Sequence, residues 1–113
     1  MPTLVTGHIH LPAATESFTG ATVFISLDSV GMMDMPATTF TETIQHNVTY
    51  EGEPLAFSVE GQMGDSVGPF NLRVHISTHN SDDVQKGDYL TKRTYYVLKD
   101  NHSEHVDVNV ELV

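Results

Sequence analysis

The chain of 113 residues contains no cysteine. That absence excludes disulfide staples, thiolate metal sites and thiol catalysis. Basic residues are scarce as well: five Lys and Arg stand against fifteen Asp and Glu, a formal charge of −10. All five, Arg73, Lys86, Lys92, Arg93 and Lys99, fall after residue 72, and the first 72 residues carry eight acids and no base. Nucleic acids and anionic lipid surfaces are both bound through a basic footprint, so neither is expected as a partner. The acidic excess serves solubility. No apolar run approaches the ~18 residues of a membrane span. Met1-Pro2-Thr3-Leu4 leads directly into a strand pattern and does not resemble a signal peptide.

Catalytic signatures are missing too. There is no G-x-S-x-G elbow, and no Gly-rich phosphate loop opens a helix. The paired acids, Asp82 with Asp83 and Glu51 with Glu53, stand in hydrophilic turns as solvated charge. The expectation is a protein that is not an enzyme and carries no cofactor.

What the chain does have is two-residue alternation. Phe70, Leu72, Val74 and Ile76 are apolar, and Asn71, Arg73, His75 and Ser77 between them are polar. One face of such a segment meets a core and the other meets water, which is the pattern of a half-buried antiparallel strand. The same rhythm predicts strands over Thr3 to Leu11, Ala21 to Asp28, Thr38 to Val48, Leu55 to Glu60, Tyr89 to Leu98 and Val106 to Leu112. Phe40 and Ile44 are the expected inward anchors of the Thr-rich third strand, and a polar loop from His79 to Asp88 joins the fifth strand to the sixth. No segment shows helical i, i+3, i+4, i+7 spacing. Seven short strands with regular turn signals predict one domain over residues 1–113, a seven- to eight-stranded antiparallel β-sandwich of immunoglobulin- or transthyretin-like type. The expected core is Val23, Ile25, Leu27, Leu55, Phe57, Val59, Phe70, Leu72, Val74, Ile76, Val106, Val108 and Val110. The first and last strands are expected at sheet edges, where polar side chains such as His8, His10, Asp107, Asn109 and Glu111 discourage edge-to-edge pairing.

With the strands in order, the chain resembles the YbaY/YscW family of bacterial envelope lipoproteins and type III secretion pilotins. The matching pieces are Val5-Thr6-Gly7-His8-Ile9 with Leu11-Pro12, Phe18-Thr19-Gly20-Ala21-Thr22-Val23, Gly52-Glu53-Pro54-Leu55-Ala56-Phe57, and Leu72-Arg73-Val74-His75-Ile76 followed by Lys86-Gly87-Asp88-Tyr89-Leu90-Thr91. The resemblance implies a non-enzymatic β-sandwich of the cell envelope or periplasm, with a secretin-like or other envelope polypeptide as partner. The lipid-attachment cysteine and export signal of such relatives are not in this chain, so membrane anchoring is not carried over.

Two sets of side chains stand out. Tyr89, Tyr95 and Tyr96 with Lys92 and Arg93 form an aromatic-basic cluster. On a continuous strand Tyr96 and Lys92 share a face, and an aromatic flanked by basic groups has the composition of an interface hot spot. Arg73, Lys92, Arg93 and Tyr96 are therefore the expected partner-binding residues. Seven histidines make the other set, with His8 and His10 two apart on one strand face and His102 and His105 near Glu104. No recognised metal spacing appears, so no metal site is expected, and His8 and His10 remain the only weak candidates. Periplasmic metal handling, of copper above all, through His8, His10 and the thioethers of Met32, Met33 and Met35 is the alternative function. An envelope domain without a dedicated ligand is the third.

Overall fold

The computed structural model describes residues 3–29, 39–61, 69–79, 83–93, 95–98 and 104–113. Alternating, β-branched segments become β1 (Thr3–His10), β2 (Phe18–Ser29), β3 (Thr39–Tyr50), β4 (Leu55–Glu60) and β5 (Phe70–Ser77). Four shorter strands follow: β6 (Tyr89–Leu90), β7 (Tyr96–Val97), β8 (Glu104–Asn109) and β9 (Glu111–Leu112). A three-stranded sheet runs β4-β1-β8, and a six-stranded sheet runs β3-β2-β5-β6-β9 with β7 also paired to β5. Together they make the all-β sandwich that the alternation predicts.

The core is the set of inward positions of both sheets. Val5, Ile9, Phe57, Val59 and Val108 come from the smaller sheet, and Val23, Ile25, Leu27, Phe70, Leu72, Val74 and Ile76 from the larger one. Of the expected core, only Leu55 and Val106 are partly rather than fully buried, and both still pack against it.

Four details differ from the expectation, each for a local reason. First, β1 is not an edge strand but the centre of its sheet, antiparallel to β4 and parallel to β8. Gly7 is what admits β8 so closely: a Cβ there would overlap the Val106 carbonyl oxygen and come within 3.0 Å of the Phe57 ring. Second, the stretch from Tyr89 to Leu98 is two short strands rather than one. The Thr91 hydroxyl accepts from Val74 N at 3.2 Å, Thr91 N donates to Val74 O at 3.0 Å, and the chain then leaves the ladder until Tyr95 O accepts from Leu72 N at 2.8 Å. Leu98 adopts φ 60°, which turns its side chain inward directly after the buried Val97, a pair that regular alternation forbids. Third, the last strand divides. Val110 N still bonds His10 O at 3.1 Å, and then Glu111 and Leu112 cross to pair with β6 in the other sheet.

Fourth, Ile44 is 44% exposed, whereas Phe40 does point inward and stacks on Phe70 at 4.7 Å. Asp28 pairs with Thr39 and Leu27 with Thr41, so Phe40 is the extra residue of a bulge. A bulge shifts the face parity by one. Phe40 therefore turns in while Glu42 and Ile44 beyond it turn out. A further irregularity between Gln45 and Val48 holds Asn47, at φ 54°, a conformation that Asn tolerates better than most residues.

Candidate functional site

The outer face of the six-stranded sheet carries apolar side chains that the core does not need. Phe24, Ser26 and Asp28 of β2 lie opposite Ile44, Glu42 and Thr39 of β3 on one side and His75, Arg73 and Asn71 of β5 on the other. Leu90 of β6 continues the row beside His75, and Tyr96 of β7 stands beside Asn71. Ile44, Val84 and Tyr96 are 44%, 48% and 49% exposed. On this face an open groove of about 260 Å³ is lined by Phe24, Ser26, Glu42, Arg73, His75, Val84 and Leu90. That is less than the ~300–1,000 Å³ of a small-molecule pocket. It has room for side chains of another polypeptide laid across the sheet.

Arg73 is one of its lining residues. Its Nε lies 3.4 Å from Asp28 Oδ2 and donates to Ser26 Oγ at 3.4 Å, while the Thr39 hydroxyl donates to the other Asp28 oxygen at 3.1 Å. Asp28 thus orients the guanidinium, which stays 54% exposed. His75 forms the floor, its ring stacked on Phe24 at 5.4 Å.

Beneath His75 lies Asp88, which is fully excluded from solvent. Its Oδ2 accepts from His75 Nε2 and from Gln85 N, both at 3.0 Å. Its Oδ1 accepts from Thr78 N at 3.0 Å and from His79 Nδ1 at 2.9 Å, with the Thr78 hydroxyl 3.2 Å away. An ionised carboxylate only accepts, so the proton sits on Nε2 of His75 and on Nδ1 of His79. Burial alone would push the Asp88 carboxyl up, but the donated hydrogen bonds outweigh it and hold the group far below the usual carboxylate range. The turn closes through Gly87 at φ 96°. Asp88 therefore ties the end of β5 to the segment carrying Val84 and so fixes one rim of the groove. Sequence reasoning missed this hub. The signal was available in a Gly-Asp pair shortly after two histidines spaced four apart.

Of the four expected partner-binding residues, Arg73 lines the groove and Tyr96 lies on the same sheet face. Lys92 does not join them. The broken strand takes it away, and its Nζ donates to the Leu112 carbonyl at 3.3 Å. Arg93 is exposed in the same excursion, outside the groove lining. Tyr89 and Tyr95 pack against the core, and the Tyr95 hydroxyl accepts from Asn109 N at 2.9 Å.

On the other side of the sandwich, His8 and His10 share the outer face of β1 as their spacing predicts. The parallel register sets His8 opposite Asp107 and Thr6 opposite His105. Three imidazoles gather at one carboxylate oxygen: Asp107 Oδ1 is 3.6 Å from His8 Nδ1, 3.8 Å from His10 Nε2 and 3.5 Å from His105 Nε2. His102 and the Met32, Met33 and Met35 thioethers lie outside the described residues.

No protein-family model matches the chain, and no curated protein matches it. Among solved structures it is similar to an alternative pilotin from the type II secretion system of Vibrio cholerae, with a TM-score of 0.74 and 19% sequence identity. The match covers 99% of this chain and 96% of that one, so the two share the β-sandwich over their whole length.

Proposed function

We infer that the protein is a non-enzymatic, protein-binding accessory domain of the cell envelope, which takes a segment of a partner polypeptide on the outer face of its six-stranded sheet. The observation that carries this reading is a groove with Phe24, Val84 and Leu90 beside a pre-oriented Arg73, on a sheet face that also exposes Ile44 and Tyr96. Apolar contact around an anchored arginine is what polypeptide interfaces use at their centres. The likeness in fold to a secretion pilotin supports the same reading, and it makes a secretin subunit the partner to test first. The finer resemblance to YbaY/YscW proteins is part of the proposal. No helix among the described residues is long and apolar enough to cross a membrane.

Against catalysis stands the use made of Asp88. Its hydrogen bonds are spent on structure and its carboxyl is closed to solvent, so it has neither the access nor the raised affinity for a proton that a general acid or base needs. Co-expression with the secretin subunits of the same organism, followed by affinity capture, tests the assignment. Arg73→Ala combined with Ile44→Asp and Tyr96→Ala is expected to abolish capture while the melting curve stays close to that of the parent. Capture that survives the triple substitution would rule out this face.

A further inference from the structure

We propose that His8, His105 and Asp107, with His10 beside them, form a zinc site on the outer face of the three-stranded sheet, one that clamps β8 onto β1. The residues come from two strands about a hundred positions apart in sequence, brought together by the parallel pairing of His8 with Asp107 and of Thr6 with His105. The ligand atoms of His8, His105 and Asp107 all lie within 4.8 Å of one another, and His10 reaches the same carboxylate oxygen.

The spacing suits a shared ion. Charge-assisted hydrogen bonds run at about 2.7–2.9 Å, so nitrogen-to-oxygen separations of 3.5 to 3.8 Å are too long for that purpose. Four ligands held about 2.0–2.1 Å from a tetrahedral ion stand about 3.4 Å from each other. Neighbouring ligands of a square-planar copper or nickel ion would be closer, at roughly 2.8 Å. The three gaps from Asp107 Oδ1 lie close to the tetrahedral spacing, and side-chain rotation brings the His8 and His105 nitrogens, within 4.8 Å of that oxygen and of each other, onto one ion. Imidazole nitrogen and carboxylate oxygen are also zinc's own donors when no thiolate is available.

Supporting groups are in place. The Thr6 hydroxyl lies 3.3 Å from His105 Nδ1, an outer partner that orients the ring so that Nε2 faces the cluster. The His8 and His105 rings meet edge to face at 5.6 Å, which limits their rotation. Next to His8 on the third strand of this sheet is Ala56, and next to Thr6 is Ser58, small neighbours that leave the ion room.

The site is independent of the protein-binding face, which belongs to the other sheet. Its test is calorimetric titration of tag-free, chelator-stripped full-length protein with zinc chloride, read beside thermal melting and native mass. One zinc per chain, a melting temperature raised by several degrees and an unchanged monomer mass are expected. His8→Ala and Asp107→Ala should each weaken zinc at least about tenfold, and Thr6→Val should weaken it less. His46→Ala, on the exposed face of β3, should leave it unchanged. Melting in chelator confirms that each variant is folded. Zinc binding no tighter in the parent than in His8→Ala would overturn the proposal, as would a zinc-bound species containing two chains. Copper or nickel bound more tightly than zinc, relative to free-ion competitors of known affinity, would overturn the choice of a tetrahedral ion.

Discussion

Asp88 holds together the end of β5, the turn at Gly87 and the segment carrying Val84. A buried carboxylate with two imidazole and two backbone donors is stabilising only while it is ionised and fully paired. Asp88→Asn removes the charge and turns an amide group toward donors that need an acceptor, so a loss of about 1–3 kcal/mol in unfolding free energy is expected for each donor left unpaired. The sign of the pH dependence follows from the direction of the shift. The folded-state affinity for a proton is depressed below the unfolded value, so the contribution is fully present above the ordinary carboxylate pKa of about 3.9. It is lost as the pH falls below that value. Urea midpoints of parent and Asp88→Asn should therefore lie far apart at pH 7 and draw together below about pH 4. A gap that stays constant down to pH 2 would contradict this. The role was illegible in the sequence because Asp88 stands among loop acids there, and only the closed turn brings it to His75, 13 residues back, and His79, 9 residues back.

At the scale of the strand, alternation was legible wherever it was unbroken. β2 and β5 bury the residues expected of them, and β4 buries Phe57 and Val59, because each pairs regularly over its central positions. Errors fell where a single residue changes the parity. The Phe40 bulge sends Ile44 outward, the Thr91 hydroxyl stands in for backbone and breaks the sixth strand, and Leu98 turns inward at φ 60°. The partner choice of β1 was equally hidden. Period-two patterning tells which face is buried but not which neighbour a strand takes, and Gly7 reads in the sequence as one more small inward residue. Its substitution is a sharp test of the parallel pairing. Gly7→Ala sets a methyl group against backbone at Val106, which cannot move as a flexible side chain can. A cost of at least ~1–3 kcal/mol is expected from overpacking alone. The same substitution should weaken zinc, because it parts the strands that carry His8 and Asp107. By comparison, Gly20→Ala meets no atom within 4 Å, and its effect should be confined to the cost of its φ of 71°. Equal melting temperatures for Gly7→Ala and the parent would show that β8 does not approach β1 as described.

At the scale of the molecule, the two sheets share one core and present two unlike outer faces. The larger sheet offers apolar side chains around Arg73, and the smaller offers imidazoles around Asp107. Fold class was legible because a sandwich is written in alternation. The face proposed for the partner was only partly readable in the sequence: Arg73 and Tyr96 were named from composition, whereas Phe24, Ile44, Val84 and Leu90 come from four separate segments that only the pairing of strands brings side by side. The likeness to a pilotin speaks to the fold, so the binding face must be tested directly. The decisive measurement is a methyl-labelled nuclear magnetic resonance titration of the protein with the secretin subunit of the same organism. Shifts concentrated on the methyl groups of Ile44, Val84 and Leu90, with Thr6 and Ala56 on the opposite sheet unmoved, are the predicted result. Shifts confined to Thr6 and Ala56, or no shift at saturating subunit, would contradict the account.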